Sequence, residues 1–264
     1  MTEHRNTDSA RMPALFVGHG SPMNAIEENA FSLSWRSLGQ TLPRPRAILC
    51  ISAHWETFGA HVTAMERPRT IHDFGGFPPE LYAVQYPASG SRWLAEAVLG
   101  NRAVTPDQAW GLDHGCWSVL KNMYPEADVP VVQLSLDRNL TPREHFALGK
   151  SLSGLRNQGV LVIGSGNLVH NLRLLAFSEG QTAFGFDWAL EANALFKRLI
   201  DERAFDTLMA YETLGRAVQL AVPTPEHFLP ALYVLALKTS GERIRYFNDE
   251  PWGGSLTMTS FLVE

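Results

Sequence analysis

Nine histidines are spread over 264 residues, and four of them stand where a strand or a helix is expected to begin or end. His19, in the stretch VGHGS, follows the apolar run Ala14 to Gly18. His54 closes the run Ala47 to Ala53, AILCISA. His170 lies just beyond Gly159 to Gly164, GVLVIG, after a glycine-containing turn. His227 follows Thr-Pro-Glu at an expected helix start. Ligands of open α/β sheets gather beyond the carboxyl ends of the strands. Parallel strands would therefore bring the first three imidazoles to one rim, and His227 could face the same rim. A lone histidine in such a place usually caps an element or packs in the core, and Gly18 and Gly20 could serve only a tight turn. Four together are harder to set aside, because burying polar rings without partners is unfavourable. A shared divalent cation would satisfy them, since it takes neutral imidazole as ligand. The HExxH motif is absent, so a metal site here must be assembled from distant segments.

Other candidates are weaker. His114, in LDHGCW, reads equally as a loop histidine bonded to a carbonyl and as an acid/base or substrate-binding group. His72 and Asp73 sit in residues 67 to 90, a segment rich in glycine, proline and aromatics with room for one helical turn. Loops of that length tend to be functional, and the aromatics here, Phe74, Phe77, Tyr82 and Tyr86, read either as a substrate lid or as ordinary surface packing. His4, His61 and His145 read as tail, strand face and helix surface. Cys50, inside an apolar run, reads as an inert core thiol. Ser21 and Ser165 lie in glycine-rich turns but lack the G-x-S-x-G elbow, and no Walker pattern exists.

The elements that must position these residues alternate between strands and helices. Strands are expected at 14–18, 47–53, 60–65, 129–136, 159–164 and 256–263, the third short and suited to an edge. Helices are expected at 25–40, 91–99, 116–123, 141–156, around His170, at 186–202, 203–209 and 212–220, and from Pro223 to about 238. Thr141-Pro-Arg-Glu fits a capping box with proline at the first helical position. This order predicts a single α/β domain, with a central mixed sheet flanked by helices on both faces. Residues 1–12 are polar and expected to form a flexible arm ahead of a catalytic domain at 13–264.

Composition narrows the function classes. The chain is 45% hydrophobic and 19% charged, enough for one large core. Its net charge of -5, without long runs of like charge, gives no nucleic-acid or anionic-membrane footprint. No window approaches the roughly 20 apolar residues of a membrane helix, and no signal peptide is evident. Two cysteines make no disulfide framework, so the cytoplasm is the expected compartment.

Taken in order, GHGSPMNAIEENAF, ISAHWET, HDFGGFPPELYAVQYPASG, GLDHGCWSVLKNMYP, IGSGNLVHNLR and PTPEHFLPALYVLAL resemble the class III (LigB-type) extradiol ring-cleaving dioxygenases, and within them the 4,5-DOPA dioxygenase branch. The motifs span residues 14 to 239. The resemblance implies an α/β fold with one divalent ion at one rim, Fe(II) for activity or Zn(II) as bound. It implies cleavage of a catechol such as DOPA by dioxygen to a semialdehyde. Carried over by position, His19, His54 and His227 match metal ligands. His170 matches a histidine treated as acid/base or as a further ligand, and His114 an active-site histidine, catalytic or substrate-binding. Phe74 and Tyr82 would contact substrate. Many relatives use two His and one Glu; here the third position falls in Glu226-His227, and the branch pattern points to His227. Other readings are a zinc-binding protein without dioxygenase activity and a metal chelatase or hydrolase using the same histidines. Partners are then small molecules, and a homo-oligomer is left open.

Overall fold

The computed structural model describes residues 11–100, 103–176 and 182–264. His4 and most of the expected arm lie outside the described residues. Arg11 and Met12 are packed: Met12 is buried, its amide bonds the Arg156 carbonyl, and its own carbonyl accepts from the Arg156 guanidinium.

In chain order the elements are β1 (Ala14–Gly18), α1 (Ala30–Thr41), β2 (Ala47–Thr57), β3 (Ala60–Thr63), α2 (Pro79–Tyr82), α3 (Arg92–Leu99), β4 (Val104–Asp107), α4 (His114–Met123), β5 (Val131–Asp137), α5 (Pro142–Ser151), β6 (Val160–Gly166), α6 (Asp187–Asp201), α7 (Phe205–Met209), α8 (Arg216–Ala221), α9 (Leu229–Ala236), β7 (Ile244–Phe247), β8 (Pro251–Trp252), β9 (Leu256–Thr257) and β10 (Ser260–Val263). The main sheet runs β4-β3-β5-β2-β6-β1-β10-β7. Its centre is parallel, with β5, β2, β6 and β1 all in one direction, while β10 and β7 are added antiparallel. The expected mixed sheet between two helical layers is therefore present.

Alternation along the central strands divides the core in two. Phe16, Leu49 and Val162 face α5, α6, α8 and α9, whereas Leu15, Cys50 and Ile163 face Trp35 of α1 and Val119 of α4. Strands buried on both faces read as continuous apolar runs, which is why β1, β2, β5 and β6 were visible in the sequence.

Several expectations change at the edges. β2 does not end at His54. It runs on to Thr57, with a register break between Ile51 and Glu56 against β5. Such a break bends a strand and re-aims its side chains, and His54 lies inside it. β3 is not an edge strand; β4, short and carrying Pro106, takes the edge, where a missing N–H is tolerated. The first expected helix begins late. Asn29 caps α1 through a reciprocal box with Ser32, and residues 22–25 form a separate turn of 3-10 helix. His170 is not helical. It pairs across an isolated bridge with Leu256, because buried Leu168 and Val169 draw the chain inward and Thr257 N bonds the Val169 carbonyl. The expected last strand is split into β9 and β10, and β7 and β8 add pairings that the sequence reading missed.

Candidate metal centre and active site

His19 leaves the end of β1 under tight backbone control. Its amide bonds the Gly166 carbonyl at 3.0 Å, and Gly20, at φ +59°, turns the chain back in the left-handed region that glycine favours. The turn before α9 carries His227 over the end of β6, with the Asn167 amide on the His227 carbonyl at 2.9 Å. Gly166 permits this approach, since a Cβ there would lie 2.1 Å from that carbonyl oxygen. His54 comes from the break in β2. The parallel strands thus bring imidazoles distant in sequence to one rim.

His19, His54 and His227 each offer one ring nitrogen, all within 4.8 Å of one another. The hydrogen-bond partners fix which nitrogens these are. Ser165 donates its hydroxyl hydrogen to the Gly115 carbonyl at 2.5 Å, so at 3.0 Å it can only accept from His19 Nδ1. His54 Nδ1 lies 3.3 Å from an Asp73 carboxylate oxygen, and His227 Nδ1 lies 3.0 Å from Glu226 Oε1. With Nδ1 protonated on each ring, the Nε2 lone pairs are left to converge. Those of His19 and His54 face each other at 3.1 Å. Two bare lone pairs at that distance repel, whereas nitrogens sharing one cation at about 2.0–2.1 Å each are naturally spaced by roughly this much. The residues therefore fit a divalent metal ion. Burial, reinforced by neighbouring imidazoles, lowers the pKa of His19 and His227 well below the usual histidine range, and that of His54 to about 3. Neutral rings are the form a metal requires.

His170 lies outside this tripod and stacks flat on His227, with centroids 3.4 Å apart and planes at 9°. Burial lowers its pKa to about 4. His114 is the first residue of α4, where Asp113 caps the helix. Asp113 is fully buried, accepting from Ser52 Oγ and Gln133 Nε2 at 2.7 Å each. Burial, with the charge of Asp73, pushes its carboxyl up against those bonds.

Asp73, grouped only loosely with His72 in the sequence reading, joins two rings. One carboxylate oxygen lies 3.0 Å from His114 Nδ1 and 3.3 Å from His54 Nδ1, and the other accepts the His114 amide at 2.9 Å. His114 Nδ1 lies against the first of these oxygens as a close charge contact and not as a well-aligned hydrogen bond. Burial would raise the Asp73 pKa, but bonding to His114 and the two imidazoles outweighs it, and the carboxyl ends below its usual value. Its role was hidden because it depends on how residues 67–90 fold against α4. The only signal was an acid beside a histidine in an aromatic loop.

A cavity of about 890 Å³ opens above these rings, lined by His19, His54, Asp73, His114, His170 and His227 together with apolar side chains that include Phe74, Phe77 and Trp252. Tyr82 packs behind Phe74, with ring centroids 5.2 Å apart. Tyr86 is buried, its hydroxyl on the Tyr124 carbonyl at 3.0 Å. His72 bonds the Val84 carbonyl and His61 meets Thr105. His145 is not on a helix surface as expected; it is 1% exposed under α9.

A mixed α/β sheet with clustered histidines that fit a metal ion at the carboxyl rim of its parallel strands, under a cavity with apolar walls, points to the class: a metal-dependent enzyme for a small molecule. Residues 13–236 match the family described as the catalytic LigB subunit of aromatic ring-opening dioxygenase. The chain belongs to that family. It is 45% identical over 263 residues to a protein of Escherichia coli K12 named 4,5-DOPA dioxygenase extradiol, covering 97% of this chain and 96% of that one. A protein of Beta vulgaris with the same name is 35% identical, covering 93% and 94%. A crystal structure of an uncharacterized protein from Escherichia coli K12 superposes with a TM-score of 0.81 at 41% identity, covering 96% of this chain and all of that one. No helix among the described residues is long and apolar enough to cross a membrane.

Proposed function

We propose that this chain opens the ring of a catechol, DOPA or a related diphenol, next to one hydroxyl, with both atoms of dioxygen entering a semialdehyde product. The observation that carries this reading is the convergence of three neutral imidazole nitrogens, each held by an outer partner, beneath a cavity with apolar walls. His19, His54 and His227 hold one divalent ion per chain. Fe(II) is the active form, because Zn(II) has no redox chemistry and binds without turnover. When bound, the metal lowers the pKa of the catechol hydroxyls and lets electron density pass from the ring to dioxygen.

The side chains divide the remaining work. His170, neutral and stacked against His227, accepts a proton from a substrate hydroxyl and later returns it. His114, with one nitrogen against Asp73, keeps the other for the bound substrate. Phe74, backed by Tyr82, and Phe77 hold the ring and limit water. The work belongs to one catalytic domain, residues 13–264, acting in the cytoplasm on small molecules.

The test is anaerobic reconstitution with Fe(II), then addition of catechols in air, with oxygen uptake and ring-opened product as readouts. Metal demonstrably bound, with neither signal from any catechol, overturns the reading. His170→Ala tests the acid/base assignment. It is expected to keep its metal and lose on the order of 10²–10⁴ in kcat. Loss of the metal along with activity would make His170 a ligand instead.

A further inference from the structure

Behind the rim lies a buried carboxylate that a helix cap alone does not require, and its further role rests on the metal-centre reading above. Asp113 is 0% exposed and opens α4 as its N-cap. Its Oδ1 accepts the Cys116 amide at 3.1 Å and the Ser52 hydroxyl at 2.7 Å, and its Oδ2 accepts Gln133 Nε2 at 2.7 Å. Gln133 Oε1 accepts the Asp113 amide in return at 2.9 Å. All three partners of the two side-chain oxygens donate, so the group is bound as a carboxylate. Asn or Ser would cap the helix about as well, without the cost of burying a charge.

Two hydrogen-bond chains lead from Asp113 to the histidine tripod. In the first, Ser52, at the break in β2, gives its hydrogen to Asp113 and turns a lone pair to the His54 amide at 3.3 Å. In the second, Asp113 closes the first turn of α4, with its side chain and its carbonyl both on the Cys116 amide. That turn presents the Gly115 carbonyl to Ser165, whose hydroxyl oxygen accepts from His19 Nδ1. The chains come together at Gly115, where a Cβ would lie 2.5 Å from Ser52 Oγ and 2.9 Å from His54 Cδ2, so α4 packs on β2 with no room for a side chain between them. We infer that Asp113 is a positioning residue of the metal centre, holding His54 through Ser52 and His19 through Gly115 and Ser165. It lies outside the cavity lining and touches neither metal nor substrate. Its negative charge also sits behind a rim where three neutral rings bring no charge to offset a divalent ion.

Three measurements test this. Competitive chelator titration gives Zn(II) affinity, the visible bands of the Co(II)-substituted protein report the geometry at the ion, and urea unfolding gives the stability of the metal-free protein. Asp113→Asn keeps an acceptor for the Cys116 amide but sets its own NH2 group against that of Gln133. It is expected to weaken Zn(II) binding by about 10–100-fold, the range for a lost outer partner, and to shift the Co(II) bands. Combining it with Gln133→Glu rebuilds the same bonds with donor and acceptor exchanged and returns the charge, so most of the affinity and the original bands should come back. Ser52→Ala breaks the His54 chain alone and should weaken binding less, and adding it to Asp113→Asn should cost less than the two effects summed. A folded Asp113→Asn protein with unaltered affinity and bands overturns the inference, whatever its stability, and leaves Asp113 a helix cap. A paired variant that regains stability without affinity overturns it too. Where Asp113→Asn does not fold, unaltered affinity in Ser52→Ala does the same. Failure of the unaltered protein to hold Zn(II) or Co(II) removes the metal-centre reading, and this inference with it.

Discussion

His145 and His227 are both buried histidines with one ring nitrogen bonded to a neighbour, yet they are built for opposite ends. His145 Nδ1 lies 2.9 Å from the Tyr233 hydroxyl, and the Asp137 backbone also interacts favourably with its ring, so its partners lie within the core of the protein. His227 gives Nδ1 to Glu226 and leaves Nε2 to a space shared with His19 and His54. Burial lowers the pKa at both positions. Burial and a perturbed pKa therefore do not separate a structural histidine from a ligand here. The free lone pair does, together with its neighbours' need for a common partner.

Removing one ring from each region should give the widest contrast. His227→Ala is expected to abolish metal retention after dialysis and to cut turnover by more than about 100-fold, since a tripod with two rings no longer encloses the ion. Metal content by elemental analysis and oxygen uptake check this. The metal-free protein should unfold no more easily, because the variant also removes a lone pair facing others of its kind. A variant that keeps stoichiometric metal would show that the three rings do not share an ion.

The parts of this contrast visible in the sequence are those set by local pattern. His19 and His54 follow apolar runs of β-branched and aliphatic residues, and such runs mark strands buried on both faces whatever the tertiary details. The position of His227 after Thr-Pro-Glu marked a turn into α9. His145 was misread because its surroundings are set by a different helix. The pattern TPREHFALGK suggests an amphipathic surface helix, but α9 crosses α5 so closely that a Cβ on Gly149 would lie 2.9 Å from Tyr233 Cα. A glycine inside an otherwise good helix was the one available hint. Asp73 was obscure for a related reason: its partners lie 19 and 41 positions away, one on β2 and one on α4. The break in β2 that aims His54 also has no local signature, since it arises from pairing with β5.

An outer partner can be weakened while its ring stays in place. Asp73→Asn keeps the size and one acceptor oxygen but removes the charge that favours Nδ1–H on His54 and His114. Loss of such a carboxylate typically lowers metal affinity by about 10–100-fold. The expected result is weaker Fe(II) or Zn(II) binding in a competitive chelator titration, together with a lower kcat at saturating metal, because His114 loses its orientation too. Restoration by Asp73→Glu at part of the original affinity would support a role for the charge. Unchanged affinity in Asp73→Asn would reduce Asp73 to a helper of His114 alone.

The smallest effect belongs to His145 and is read in stability. Its pKa in the folded protein is about 4, mainly through burial, with Asp137 and Glu144 pulling the other way, against about 6.5 in an unfolded chain. Below pH 6.5 the unfolded chain takes up a proton that the folded protein refuses. Stability from this residue is therefore complete above that pH and falls as the pH drops towards 4. By pH 5 the loss amounts to about 2 kcal/mol. His145→Gln cannot titrate. It should cost about 1 kcal/mol near pH 8, where a hydrogen bond to Tyr233 is weakened, yet lose less stability than the unaltered protein on going to pH 5. Urea unfolding of the two metal-free proteins at both pH values isolates the difference, because the rim histidines contribute equally to each. Parallel pH dependence in the two would mean that His145 charges as readily inside the fold as outside it, and its separation from the rim would then rest on hydrogen bonding alone.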